Sequence, residues 1–286
     1  MPFSQILKTP TMAIIDKDTA IKNLFWWNAL CALFHGTQVV AAIIYTVVSD
    51  NAKDFRVPII THYAIWNTTT GPEDATQTLG LFPLAAVTCA VPFLSFIAHL
   101  NMATWLKKKY ETDIMNFTNS MRWIEYAFSS TLMFFLICLL FSIYDLSTLL
   151  ALATMNMSVM FFGHLMEQSN KDFRPSTDRI DWKSWQFGFF VGLVQWGLLY
   201  STLSTTDEEM PAIIWAVLFS YFILFMLFAL NMFVLYRKWA AGKNDKLSAY
   251  LLSEKYYMIL SFTSKSILLW LILAGVNQPN SYTLGS

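Results

Sequence analysis

Two residues far apart in the chain have the chemistry to act as a pair. Lys265 stands near the middle of an apolar stretch, Ser261-Phe-Thr-Ser-Lys265-Ser-Ile-Leu-Leu-Trp270, with no acidic residue close by on the same segment. An ammonium at the centre of a membrane-spanning helix costs on the order of 3 kcal/mol or more, so an intramembrane lysine is read as functional by default. Four carboxylates lie within or beside apolar segments (Glu125, Asp145, Glu167 and Glu254), and only Glu125 is well inside one and remote from the loops. Glu125 is therefore the expected counter-ion. Burial disfavours the charged form of an amine, which frees it to condense with an aldehyde, and a nearby carboxylate then stabilises the protonated imine. The plainer reading is an ion pair that locks two helices of a transporter.

The elements that must position this pair follow from composition. The 286 residues are 56% hydrophobic, 16% aromatic and only 13% charged, the balance of a polytopic membrane protein. Windows of about 20 apolar residues span a hydrocarbon core. They fall near 23–49, 78–100, 121–143, 145–166, 184–204, 211–236 and 250–276, which predicts an all-α bundle of seven transmembrane helices. The third and fourth are nearly fused, with Ser142-Ile-Tyr-Asp145-Leu-Ser147 as the turn between them. Residues 1–22 lack the apolar core and cleavage site of a secretory signal and carry Asp16 and Asp18, so the first helix is expected to remain as an anchor. Cys31, Cys89 and Cys138 fall inside predicted helices, where a thiol serves as a small hydrophobe.

Charge sets the orientation. Sixteen of the 19 Lys and Arg residues fall in the N-terminal tail (Lys8, Lys17, Lys22) or in the second, fourth and sixth connections, Arg122 among them. The opposite loops hold Lys53 and Arg56 against Asp50, Asp54, Glu73, Asp74, Asp145, Asp207, Glu208 and Glu209. The positive-inside rule then predicts a cytoplasmic tail at 1–22, a bundle over 23–276 and an extracellular stub at 277–286. This is the reverse of the usual seven-helix receptor. Outer loop 50–77 carries Val57-Pro-Ile-Ile-Thr-His-Tyr-Ala-Ile-Trp66 before a Thr-rich Gly71-Pro72 turn, which predicts a small β-hairpin. Asn67-Thr-Thr in that loop is a glycosylation acceptor triplet. The basic runs at 107–109 and 237–246 read as topology determinants and lipid-headgroup contacts, with no nucleic acid implied.

The segment Arg122-Trp-Ile-Glu125-Tyr126-Ala-Phe-Ser129-Ser130-Thr-Leu-Met133 resembles the third helix of the heliorhodopsins, and Ser261-x-x-x-Lys265 with Trp270 resembles their seventh. The resemblance extends to His35-Gly-Thr-Gln38, Leu94-Ser-Phe-Ile-Ala-His99, Asn156-Met-Ser158 with Gly163, and Phe225-Met-Leu-Phe228-Ala-Leu. It implies all-trans retinal held on Lys265 as a protonated Schiff base, with Glu125 as counter-ion and Ser261 and Ser129 beside it. It also implies that Met133, Asn156, Phe225 and Trp270 contact the chromophore, and that His35 and His99 belong to a proton-accepting cavity on the cytoplasmic side. Each histidine is equally readable as a hydrogen-bond bridge between helices. The family pattern is departed from at Gln186 and Gln195, where relatives are expected to carry a Trp and a Pro. A homodimer formed through the outer loop is a further implication.

The polar stripe Glu254, Tyr257, Ser261, Lys265 continues outward only as Leu268, Leu269 and Ile272; Thr118, Arg122, Glu125 and Ser129 likewise give way to Leu132, Phe135 and Leu136. No carboxylate or histidine marks an outer half-channel, so a non-enzymatic photosensor in the cell membrane is expected in preference to a pump. Light-gated or light-driven proton transport through Glu125 and the histidines is the alternative. A transporter without chromophore fits less well, because no inverted repeat of broken helices is visible. No further domain is expected after Val276, so any output passes through the bundle or its cytoplasmic loops.

Overall fold

The computed structural model describes residues 17–175, 177–204, 212–242 and 245–277; the predicted C-terminal stub after Asn277, most of the N-terminal tail, and Asp207, Glu208 and Glu209 lie outside them. The described chain runs α1 (Lys17–Val48), α2 (Asp50–Asp54), β1 (Val57–Asn67), β2 (Gly71–Phe82), α3 (Leu84–Thr88), α4 (Ala90–Ala103), α5 (Lys107–Met115), α6 (Ser120–Leu140), α7 (Leu146–Asn170), α8 (Lys183–Ser204), α9 (Ala212–Ala241) and α10 (Lys246–Gly275). Seven spans long and apolar enough to cross a membrane are present among the described residues, α3 and α4 together forming the second. Trp26, Val47, Phe128, Phe190 and Phe219 project from the bundle with more than half their surface exposed, as expected where the solvent is lipid.

The second span is broken at Cys89. Pro92 has no N–H to give to the Thr88 carbonyl and its ring crowds that group, so the helical ladder is interrupted one turn upstream. The hairpin is longer than the sequence suggests. β2 continues to Phe82, and the second span starts at Leu84 instead of near 78. Gly80–Phe82 pair with Val57–Ile59, and Leu79 is the extra residue of a bulge opposite the Ile59–Ile60 step. At the tip, Gly71 takes φ +90°, a left-handed conformation that strains other residues. Asn67 shapes the same turn, accepting from Thr69 N at 2.9 Å and donating to Glu73 Oε1 at 2.8 Å. The hairpin is seated on the bundle by Ile60 N donating to Tyr144 O at 2.9 Å and His62 N to Asp145 Oδ2 at 3.3 Å.

At the other end, the segment before the third span is the separate helix α5, which stops where Phe117 adopts φ 57°. α6 then starts afresh with Asn119 as its cap, its Oδ1 accepting from Arg122 N at 3.1 Å. Two apolar clusters fill the bundle. One, with Leu84, Leu136, Leu139, Leu269 and Ile272, lies toward the hairpin. The other, with Tyr110, Trp123, Tyr236, Trp239 and Tyr250, fills the opposite, basic end. Glu125 and Lys265 sit at the boundary between them.

Candidate functional site

Helical periodicity assembles the site. On α10, Ser261 and Lys265 are one turn apart and share a face; on α6, Glu125 and Ser129 do the same. Lys265 Nζ donates to Glu125 Oε1 at 2.6 Å and to Ser261 Oγ at 2.5 Å. The same carboxylate oxygen accepts from Ser129 Oγ at 2.7 Å and, across from α4, from Ser95 Oγ at 2.6 Å. Lys265 is 2% exposed and Glu125 7%. A buried ion pair is tolerated only with good geometry and additional hydrogen bonds, and three hydroxyls supply them here. The Tyr126 ring lies under the ammonium, 5.1 Å from its centroid.

From Lys265 an apolar cavity of about 80 Å³ passes between α6 and α9 to Trp196 on α8. Met133, Asn156, Phe225 and Ser261 all border it, with Tyr126, Phe134 and Trp196. Asn156 is its polar wall. Its Nδ2 donates to Ser130 Oγ at 2.9 Å, and its Oδ1 accepts from Gln195 Nε2 at 3.2 Å. Gly192 makes room at this end, since a Cβ there would fall 2.2 Å from Phe225 Cζ. Trp270 does not belong to the cavity. Five residues beyond Lys265 it is rotated by roughly 140°, and it lies 43% exposed on the outside of the bundle.

His35 on α1 and His99 on α4 are both buried and stack with centroids 5.8 Å apart and planes 9° from parallel. His99 follows Ser95 by one turn, so the imidazole is next in line behind the hydroxyl that holds Glu125. His99 Nδ1 bonds Asn28 Oδ1 at 2.9 Å, whereas neither ring nitrogen of His35 has a partner among the described residues.

The sequence reading set Arg122 and Glu254 on polar stripes of their helices without pairing them. Arg122, counted there among the loop cations, is 4% exposed and is gripped by Glu167 of α7 and Glu254 of α10. Asn119 N and Trp123 Nε1 donate to Glu167 Oε2 at 3.0 and 2.7 Å, and Asn119 Nδ2 donates to Glu254 Oε2 at 2.7 Å. The guanidinium also lies 4.1 Å from the Tyr257 ring centroid.

The heliorhodopsin family profile matches residues 24–276. The chain belongs to the heliorhodopsin family. Among solved structures, this heliorhodopsin is similar to the rhodopsin of Exiguobacterium sibiricum, with TM-score 0.60 and 13% identity, over 91% of this chain and 99% of that one. It is also similar to the transmembrane domain of the Salpingoeca rosetta rhodopsin phosphodiesterase, with TM-score 0.59 and 13% identity, over 90% of this chain and 84% of that one. At such identity the likeness is one of fold. Comparison with curated proteins yields no match. Membership of a rhodopsin family implies a retinal chromophore, and the residues present fit one: an amine with a carboxylate beside it at one end, and an apolar, aromatic-lined cavity leading away.

Proposed function

We propose that this heliorhodopsin is a light receptor of the cell membrane that holds all-trans retinal at Lys265 and does not pump ions. Bound there, retinal supplies visible absorption and a light-driven change of shape. The protein's own part is to hold a proton at Lys265 Nζ between Glu125 and Ser261, to exclude water from the cavity with Phe134, Trp196 and Phe225, and to offer that proton one way out. The observation that carries this reading is the one-sidedness of the polar groups: Glu125, Ser95 and His99 follow one another toward the basic end, while Leu136, Leu268, Leu269 and Ile272 close the other side as fully buried apolar packing. A proton that leaves Glu125 toward His99 returns by the same route, so its movement drives helix rearrangement instead of net transport.

The positive-inside rule supports placing the basic end in the cytoplasm. The hairpin, with Tyr63, Ile65, Trp66, Leu79 and Leu81 exposed, is suited to pairing two copies as a homodimer. The test of the main reading is the visible spectrum of protein purified from cells supplied with retinal. A coloured wild type, a colourless Lys265→Ala and a red-shifted Glu125→Gln are expected. A well-folded wild type without colour would overturn the reading.

Light-gated proton transport is a second reading, favoured by Ser95, which bonds Glu125, and His99 standing one turn apart on α4 toward the basic end. Steady photocurrents across a voltage-clamped membrane would establish it and remove the non-pumping receptor.

A further inference from the structure

The two stacked histidines differ in one respect that fixes which atom accepts a proton. Asn28, on α1 and fully buried, spends its amide nitrogen on the Leu24 carbonyl four residues back, at 3.0 Å. A backbone carbonyl only accepts, so the Asn28 nitrogen must face it, and Oδ1 is the atom presented to His99, 2.9 Å from its Nδ1. An amide oxygen also only accepts. His99 Nδ1 therefore carries the hydrogen, and in the neutral ring Nε2 is left with its lone pair. No described side chain bonds Nε2, and the stacked His35 makes no hydrogen bond to it.

His35 has no such director. Both of its nitrogens lack a partner among the described residues, and its edge rests against the Phe262 ring at 5.6 Å. One ring of the stack is held in a single tautomer and the other is free to adopt either.

We infer that Asn28 is a positioning residue for the proton movement: it locks His99 in the Nδ1–H tautomer and so assigns His99 Nε2 as the accepting atom. This rests on the receptor reading above for its functional meaning, while the tautomer itself does not. A proton arriving at Nε2 makes an imidazolium whose Nδ1–H still bonds Asn28, so the ring accepts without turning over. Loss of that proton restores the starting tautomer.

The test is nitrogen-15 NMR of the full chain labelled at histidine and embedded in lipid, with His99→Phe identifying the His99 signals. In the dark, with or without retinal, His99 is expected to show a protonated Nδ1 and a bare Nε2. Asn28→Asp retains an acceptor at the same place and should retain that pattern; Asn28→Leu removes it and should yield the Nε2–H form or a mixture. A wild type in the Nε2–H form overturns the inference directly, even if neither variant folds, and so does an Asn28→Leu protein with an unchanged pattern. Under continuous light the pigment should gain a protonated His99 Nε2. A pigment that forms and bleaches with Nε2 still bare would overturn the acceptor assignment and leave the receptor reading intact. A protein with the expected tautomer that takes up no retinal would do the opposite.

Discussion

Glu254 and Lys265, three turns apart on α10, are both fastened to α6 with opposite polarity: the carboxylate of α10 meets Arg122, and the ammonium of α10 meets Glu125. The two helices are thus crossed by a pair of reversed ion pairs, one at the retinal end of the polar stripe and one nearer the basic end. Each is buried, so each is a place where removing a single partner strands a charge.

At the Lys265–Glu125 pair, Lys265→Met leaves Glu125 buried without a cation. The loss of apoprotein stability should be about 3–5 kcal/mol. The double variant Lys265→Met with Glu125→Gln should recover most of that loss. Thermal unfolding of the four proteins without retinal measures the coupling, and strictly additive losses would refute a direct pair.

The Arg122 group has one guanidinium and two carboxylates, so its members are not equivalent. Arg122→Gln strands two negative charges and should cost about 3–5 kcal/mol. Glu254→Gln still leaves Arg122 with Glu167 and should cost about 1–3 kcal/mol. Denaturation in a common detergent gives the ranking; equal losses would show that the cluster does not depend on charge balance.

Close packing gives a steric prediction. A methyl group on Gly163 would lie 2.2 Å from the Trp123 ring, whereas one on Gly197 meets nothing within 4 Å. Gly163→Ala should therefore destabilise by about 1–3 kcal/mol through overpacking. Gly197→Ala should be neutral or stabilising by up to about 1 kcal/mol, since alanine is the better helix former. Melting temperatures of the two variants decide it.

Acid should weaken the seat of the hairpin. The Asp145 carboxylate accepts from Thr148 N at 2.8 Å and also from His62 N, and the Thr148 N–H is the main influence holding its carboxyl below the usual carboxylate range. A carboxyl whose value is lowered on folding contributes stability above its unfolded value, about 3.9, and loses it as pH falls through the lower folded value. Asp145→Ala should cost about 0.5–2 kcal/mol at pH 7, and wild type and variant should converge as pH falls through the lowered folded value. Hydrogen exchange at the Ile60 and His62 amides is the direct readout, and a pH-independent difference would exclude the carboxylate as the cause.

The Lys265–Glu125 pair and the seven spans were legible in the sequence because a charge in a long apolar run is costly and conspicuous. What escaped it has physical reasons. Leu79-Gly-Leu-Phe82 is apolar enough to join the following span, and only its pairing with Val57–Ile59 makes it a strand. Arg122 sits close enough to the end of α6 to pass for a loop cation; its burial depends on Glu167 and Glu254, 45 and 132 positions away in the chain. Trp270 was assigned by motif alone, and the angular step along α10 carries it outside. The predicted hairpin and turn at residues 142–147 rested on local turn chemistry, and both appear where that chemistry placed them, the hairpin with a longer second arm.

The break at Cys89 divides the second span into two rods on a joint. The outer rod, Leu84–Thr88, is continuous with the hairpin through Pro83, while the inner rod carries both Ser95 and His99. A tilt of the inner rod about this joint would draw the Ser95 hydroxyl away from Glu125 and move the imidazole with it, leaving the hairpin seated on Tyr144 and Asp145. The second span is thus broken between the hairpin and the segment that brings Ser95 and His99 beside Glu125.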